Sequence, residues 1–124
     1  MDKRLAIIVP YRDRRKQLDI FIPHMDSFLK DKGIDYQIII AEQRDDRPFN
    51  RGRLCNIVFN TVKDDFDYFC FHDVNLLPLT DDCDYSYPEK PTHLASIVDD
   101  EYIPYEEFIG GVFLINKKHF EQIN

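Results

Sequence analysis

The sequence has little of what marks a membrane-spanning or secreted protein. No apolar run approaches the roughly 20 residues that a membrane-spanning helix needs, and the apolar part of the N-terminus, MDKRLAIIVP, is too short for a signal peptide. The three cysteines, Cys55, Cys70 and Cys83, are odd in number and lack the CxxC spacing of zinc sites. These absences predict a protein with reduced thiols, no transmembrane segment and a cytoplasmic location.

Positive charge is also scarce. The chain carries 16 Lys and Arg against 23 Asp and Glu, which gives a net charge of -7 at pH 7. Such an excess of negative charge opposes attraction to phosphate backbones and to anionic membranes. Nucleic acid is therefore not an expected partner.

Several well-known site motifs are missing from the sequence. It has no GxxxxGK[ST] loop, no GxGxxG after a strand and no GxSxG elbow, so P-loop hydrolysis, dinucleotide binding and serine-hydrolase chemistry lack their signatures. The four histidines show no HExxH or other paired spacing, and we interpret them as surface or hydrogen-bonded residues. His72 is the exception to keep as a candidate ligand, because it stands beside Asp73.

What is present indicates a single folded domain over residues 1–124. The chain is 44% hydrophobic and 14% aromatic, enough for one core and too short for two ordinary domains. Five apolar segments predict strands, and they begin at Leu5, Tyr36, Asp67, His93 and Gly110. Apolar spacing of three and four residues predicts helices over Leu18–Leu29, with a kink or interruption at Pro23 and a stop at Gly33, and over Asn50–Val62.

The order of these elements predicts an α/β fold with a mostly parallel central sheet flanked by helices. In such sheets ligands bind beyond the carboxyl ends of the strands. Three polar loops fall at that edge, and they cover Tyr11–Arg15, Glu42–Arg51 and His72–Asn75. A further helix is predicted to begin within the final NKKHFEQIN.

Two of these loops are rich in arginine. Arg12 and Arg14 lie in the first, and the second sets Arg47, Arg51 and nearby Arg53 around the aromatic Phe49. Guanidinium groups offer forked donors that match phosphate oxygens, and an aromatic ring can stack on a base. A solvated helix start would explain either loop alone, but two cationic loops at one edge of an acidic protein indicate a local anion site.

The third loop, in the stretch FHDVNLLP, places an acid and an amide two residues apart. Side chains at that spacing on an extended chain point the same way, so Asp73 and Asn75 could share a metal or sugar ligand. An ordinary turn, in which both residues bond their own backbone, is the alternative. Aromatic residues before Gly110 and Gly111 would similarly suit either the floor of a sugar site or a core hairpin.

Four linked stretches, IIVPYRDR, FNRGRLCNIVF, FHDVNLLP and FIGGVFLINKKHFEQIN, resemble the β-1,4-galactosyltransferase family, glycosyltransferase family 7, in its N-terminal donor-binding portion. The resemblance implies the GT-A fold, a Rossmann-like fold of nucleotide-diphospho-sugar transferases. It also implies a UDP-sugar donor such as UDP-galactose or UDP-N-acetylhexosamine, a glycan acceptor and Mn²⁺ as cofactor.

The resemblance also assigns residues by position. The implied donor-binding residues are Pro10, Tyr11, Arg12, Arg14, Phe49, Arg51, Asp73 and Val74. The implied sugar and acceptor residues are Tyr105, Phe108, Gly110 and Gly111. Asp73 and Asn75 occupy the family's Asp-Val-Asp motif and are the implied metal ligands.

Two departures from the family pattern leave the activity open. Asn75 replaces the second aspartate, and a neutral amide binds Mn²⁺ more weakly than a carboxylate. The family continues into a Trp-Gly-rich acidic segment that resembles its catalytic base, so we expect a chain truncated at its C-terminus, with the general base beyond Asn124. Asp99, Glu106 and Glu107 are weak substitutes for that base.

Three hypotheses follow. The first is an inverting glycosyltransferase, or its donor-binding half, that transfers galactose or an N-acetylhexosamine from a UDP-sugar to a glycan acceptor. The second is a non-catalytic nucleotide-sugar-binding module. The third, a plain α/β domain with incidental motifs, predicts that Arg12→Ala and Asp73→Ala leave every ligand-binding signal unchanged.

Overall fold

The computed structural model describes residues 3–78, 84–94 and 112–123. The strands are β1 (Arg4–Tyr11), β2 (Asp35–Glu42), β3 (Tyr68–His72), β4 (Thr92–His93) and β5 (Val112–Asn116). The helices are α1 (Arg15–Leu29), α2 (Arg51–Val62) and α3 (Lys117–Ile123). A short 3-10 turn (Lys63–Asp65) follows α2. The predicted strands and helices are therefore present, although only the start of the strand predicted from His93 falls among the described residues.

The strands form one sheet in the order β2-β1-β3-β5-β4. β1 pairs in parallel with both β2 and β3, whereas β5 runs antiparallel to its neighbours β3 and β4. Among the described strands, four thus point the same way and β5 is reversed, which confirms a mostly parallel sheet. The carboxyl ends of β1, β2 and β3 meet at one edge, because parallel neighbours in register end together.

Strand β1, which lies between β2 and β3, is buried on both faces, as its unbroken apolar run predicts. On one face α1 covers the sheet with Phe21, Met25 and Leu29. On the other face α2 contributes Phe59 and α3 contributes Phe120, whose rings lie 4.2 Å apart. The result is three layers, with helices on both sides of the sheet.

The sequence predicts a kink or an interruption at Pro23; helix α1 continues through Pro23, so the interruption is wrong, and the kink stays a prediction. A proline removes one hydrogen bond of the helix, but the buried Phe21 and Met25 on either side anchor that turn to the sheet. Gly33, the predicted stop, does adopt a left-handed backbone with φ of 69°.

Cys55 and Cys70 are free thiols that belong to core clusters on opposite faces of the sheet. Burial raises the pKa of Cys55 to about 11 and raises that of Cys70 as well, so neither is a reactive thiolate. Cys83 lies outside the described residues. Within the described ranges, no helix combines the length and apolar character that crossing a bilayer requires.

Candidate functional site

A hollow of about 340 Å³ opens where β1, β2 and β3 end. Its lining residues come from the end of β1 and from all three loops that follow these strands: Pro10, Arg12, Asp13, Arg14, Phe49, Asp73, Val74 and Asn75. We call this space the edge hollow. Its position agrees with the rule that open α/β sheets bind ligands beyond the carboxyl ends of their strands.

The first loop turns sharply between β1 and α1. Asp13 has a φ of 54°, in the left-handed region that Asp tolerates better than most side chains. A guanidinium nitrogen of Arg14 donates a hydrogen bond to the Asp13 carbonyl at 3.0 Å. This tight turn lets α1 begin at Arg15, directly beside the hollow. The free N–H groups and the dipole of that helix end add to the positive potential of the loop.

Gln43 organises the second loop. Its amide nitrogen lies 2.9 Å from the Asp45 carboxylate, 3.2 Å from the carbonyl of Arg47 and 3.1 Å from that of Pro48. Its amide oxygen accepts a hydrogen bond from the backbone N–H of Asn50 at 2.9 Å. One side chain thus gathers a loop that has no regular secondary structure.

Asn50 in turn caps α2, since its side-chain oxygen accepts from the backbone N–H of Arg53 at 3.0 Å. Phe49 lies between Pro48, whose carbonyl accepts from Gln43, and the capping residue Asn50. The exposed fraction of Phe49 is 42%. A large aromatic residue presented to solvent beside a hollow is suited to a flat ligand.

Arg12 joins the first two loops. Its guanidinium donates to the carbonyls of Asp45 at 3.1 Å and Arg47 at 2.5 Å, and it lies 5.5 Å from the centre of the Phe49 ring. The contact with the ring is a cation–π interaction. These bonds hold the Phe49 face and the Arg12 charge in one fixed arrangement.

Asp73 and Arg51 join the second and third loops. The Arg51 guanidinium, in the first turn of α2, forms an ion pair with the Asp73 carboxylate. Both side chains are mostly buried, at 29% and 33% exposure. Burial lowers the pKa of Arg51 from its usual value, but an arginine so close to a carboxylate stays charged.

The stretch FHDVNLLP forms a turn after β3, with a long backbone bond of 3.4 Å from Leu76 N–H to the Asp73 carbonyl. The Asp73 carboxylate is bound to Arg51 rather than to its own backbone, so the ordinary-turn alternative does not account for it. Asp73 and Asn75 both line the edge hollow, with Asn75 exposed. Asp73 and Asn75 could therefore face one ligand together.

His72 is not a ligand candidate. It is fully buried, and both ring nitrogens have protein partners, the Tyr85 hydroxyl at 2.8 Å and the Asp73 carbonyl at 2.9 Å. Burial, with a contribution from the charge of Arg51, lowers the pKa of His72 to about 3. The imidazole is consequently neutral, and His72 is a hydrogen-bonded core residue.

The structure brings together most of the donor-binding residues that the sequence singled out. Of that implied set, Tyr11 and Arg51 do not line the edge hollow, although Arg51 reaches it through Asp73. Asp13 and Gln43 were not predicted, because their roles depend on backbone geometry that leaves no sequence pattern.

The residues expected to meet the sugar and the acceptor fall elsewhere in the chain. Tyr105, Phe108, Gly110 and Gly111 lie outside the described residues, as do Asp99, Glu106 and Glu107. The last residue of the chain, Asn124, lies outside them too. The expectation of a general base beyond Asn124 therefore stays a prediction, and no catalytic residue is assigned within the described ranges.

Metal ligands are sparse in the part of the chain that the structure describes. No group of three or more His, Cys, Asp or Glu residues is placed to hold an ion there. Three residues with acidic or amide oxygens line the edge hollow, Asp13, Asp73 and Asn75, and the last two are the implied ligands. One paired carboxylate and one neutral amide do not make a closed metal cage.

The fold matches solved glycosyltransferase structures. The catalytic domain of Drosophila β-1,4-galactosyltransferase 7, in complex with xylobiose, superposes with a TM-score of 0.87 at 40% identity, over 98% of this chain and 52% of that chain. A mutant of the same enzyme with manganese, UDP-Gal and xylobiose gives a TM-score of 0.85, also at 40% identity and with the same coverage of both chains. The fold is thus GT-A, that of nucleotide-sugar transferase domains.

Sequence comparison places the chain more narrowly. The family model for the N-terminal region of glycosyl transferase group 7 matches residues 1–88, and the chain belongs to that family. β-1,4-Galactosyltransferase 7 of Drosophila melanogaster is 41% identical over 123 residues, which are 98% of this chain and 38% of the relative. The chain therefore spans well under half the length of this curated relative.

Proposed function

We propose that this chain is the donor-binding part of an inverting galactosyltransferase and that it holds a UDP-sugar in the edge hollow. The observation that carries the proposal is the convergence of Arg12, Arg14 and Phe49 on one hollow at the carboxyl edge of the sheet. A diphosphate needs positive charge and forked donors, and a uracil ring needs a flat apolar partner. The edge hollow offers both within a protein whose net charge is -7.

Each residue has a distinct part in this proposal. Arg14 and Arg12 offer charge to the phosphate oxygens, while Phe49 offers its exposed face to the base. The pair of Arg51 and Asp73 fixes the third loop at the same place. In the reaction an acceptor hydroxyl attacks the anomeric carbon and gives its proton to the general base that the family resemblance implies. The bond to UDP breaks, its electron pair leaves with the diphosphate, and the configuration at that carbon inverts.

The substrates to test first come from the Drosophila relative, whose solved complex contains manganese, UDP-Gal and xylobiose. UDP-galactose is accordingly the proposed donor for this chain, and a xylose-ended glycan is the proposed acceptor. Both are proposals for the whole protein, since this chain covers 52% of the relative's solved chain.

The residues present fit a divalent cation that arrives with a diphosphate. Mg²⁺ in such sites is held by one or two carboxylates together with substrate phosphates. At the edge hollow Asp73 would supply one carboxylate and Asn75 an amide oxygen. Such an ion would neutralise charge on the departing diphosphate.

A second candidate is a nucleotide-sugar-binding module without transfer activity. Asn75 and the engagement of Asp73 by Arg51 favour it, because both weaken the site's hold on a cation. The two candidates agree on donor binding and differ in turnover. Tight UDP binding with no galactose transfer to xylobiose would support the module.

Calorimetric titration of UDP, with and without Mn²⁺, tests the shared step. We expect the wild-type chain to bind UDP. We expect Arg12→Ala to raise the Kd for UDP about tenfold, because it loses one charged hydrogen bond. Arg15→Ala is the matched control: it removes the same charge, but Arg15 is exposed and pairs with Asp19 outside the edge hollow. Equal losses in the two variants, or no UDP binding by the wild-type chain, would contradict the proposal.

We also propose a reducing compartment, the cytoplasm. The support is that the two described cysteines are free thiols in separate core clusters. Fractionation of source cells, followed by detection of the native protein, tests the location. Recovery in a secretory or membrane fraction would contradict it.

A further inference from the structure

His72 is built into the core directly behind the edge hollow. It is the last residue of β3. Its ring packs edge-to-face with Phe21, with the ring centres 4.9 Å apart, and stacks on Tyr85, with the ring centres 5.9 Å apart. His72 and Tyr85 are both fully buried. A buried polar ring needs partners for both of its nitrogens.

The partners of His72 determine which nitrogen carries the proton. The Asp73 carbonyl can only accept, so Nδ1 must bear the hydrogen and donate across the 2.9 Å contact. Nε2 is then a bare acceptor, and the Tyr85 hydroxyl donates to it at 2.8 Å. Tyr85 is itself tied to β3, because its carbonyl accepts from the Tyr68 hydroxyl at 2.7 Å.

We infer that His72 and Tyr85 are positioning residues for the proposed donor site. The Asp73 carbonyl selects the Nδ1–H tautomer of His72, and the Tyr85 hydroxyl completes the arrangement by donating to Nε2. Asp73, held by this bond, directs its carboxylate at Arg51 beside the edge hollow. The inference rests on the proposed function. It goes beyond that function by assigning a role to two residues that do not line the hollow.

The geometry makes this more than filling of the core. Asp73 follows the last residue of β3, and its carbonyl has in Leu76 N–H only a long 3.4 Å backbone partner. The His72 bond is therefore the stronger restraint on the peptide that begins the turn. With the opposite tautomer, a lone pair of Nδ1 would face the Asp73 carbonyl and push the turn away.

Two substitutions of His72 separate positioning from packing. In His72→Asn the amide nitrogen takes the place of Nδ1 and restores the bond to Asp73, whereas in His72→Gln the side chain reaches Tyr85 and loses that bond. We expect similar losses of thermal stability in the two variants. The Kd for UDP should rise about tenfold in His72→Gln but less than threefold in His72→Asn, since a single hydrogen bond separates them.

Tyr85→Phe removes the hydroxyl that donates to His72 Nε2 and so loosens the ring that holds the Asp73 carbonyl. This variant should also raise the Kd for UDP several-fold. Tyr87→Phe is its matched control, in the same segment but with an exposed ring, and should leave the Kd unchanged. Losses of affinity that merely follow the losses of stability across all these variants would overturn the inference.

Nitrogen-15 NMR of the wild-type chain tests the hydrogen-bond chain without any variant. We expect the His72 ring in the Nδ1–H form, and an Nε2–H form would overturn the inference even if every variant failed to fold. A wild-type chain that binds no UDP would instead overturn the proposed function. The two failures are thereby distinguishable.

Discussion

Arg51 and Asp73 lie 22 residues apart in the sequence and form an ion pair at the edge of the sheet. The pair links the first turn of α2 to the turn after β3, so two of the three loops around the edge hollow are tied at this point. Both side chains are about two-thirds buried, which places the pair between a surface salt bridge and a fully buried one.

Removal of the Arg51 side chain should destabilise the fold measurably. We expect Arg51→Ala to lower the free energy of unfolding by about 1–2 kcal/mol, because it leaves the half-buried Asp73 carboxylate without its charged partner. Urea denaturation measures the change. Arg44→Ala is the control, since Arg44 is 86% exposed and its pair with Glu42 should contribute close to nothing. If the loss is unchanged on an Asp73→Asn background, the pair does not cause it.

Gln43→Ala should loosen the second loop without disturbing the sheet. The substitution removes the acceptor of the Asn50 N–H and the donor to the carbonyls of Arg47 and Pro48. Hydrogen exchange at the Asn50 amide should accelerate about tenfold, as expected for the loss of one hydrogen bond. Gln17→Ala, on α1, should leave that rate unchanged. If exchange at the Asn50 amide is equally slow in Gln43→Ala, the Gln43 side chain does not order the second loop.

Asn75→Asp should strengthen the binding of divalent cations. A second carboxylate two residues from Asp73 adds charge on the same side of the edge hollow, and hard cations prefer carboxylate to amide oxygens. Calorimetry with Mn²⁺ in the presence of UDP measures the effect, which we expect to be about tenfold or more in affinity. Asn60→Asp on the exposed face of α2 makes the same change of charge away from the site. Equal or weaker affinity in Asn75→Asp would contradict the assignment of the metal position.

The contribution of Tyr36 to the free energy of unfolding should decrease at alkaline pH. Its hydroxyl donates to the Asp26 carboxylate at 2.5 Å, and burial, with help from this carboxylate, raises the pKa of Tyr36 to about 12. The unfolded chain releases that proton near the ordinary pKa of about 10, so between these values it binds fewer protons than the folded chain. The free energy of unfolding should therefore fall as the pH rises from about 10 to about 12. Urea denaturation across this range should show a shallower decline in Tyr36→Phe, and identical slopes would contradict the expectation.

The sequence predicts the elements of this fold well because their patterns are local. The unbroken apolar run of β1 and the spacing of Phe21, Met25 and Leu29 on α1 are visible without knowledge of any partner. The antiparallel direction of β5 is not visible in the sequence, since the pattern VFLIN predicts a buried strand in either direction. Pro23 does not interrupt α1, because packing of the helix against the sheet outweighs the loss of one hydrogen bond.

The site was predictable in its residue types and less so in its connections. Arginines after a strand indicate an anion site, and six of the eight implied donor-binding residues do line the edge hollow. The pairing of Arg51 with Asp73 joins residues far apart in the chain, and Gln43 acts mainly on backbone atoms. Neither kind of contact leaves a repeating pattern that a single sequence can reveal.

Among the described residues, every one that lines the edge hollow falls between Pro10 and Asn75. One continuous stretch of the chain thus supplies this lining, with each loop positioned by the strand before it. Under the proposed function, joining this stretch to a different downstream segment would exchange the acceptor side of the protein and leave the described lining unchanged.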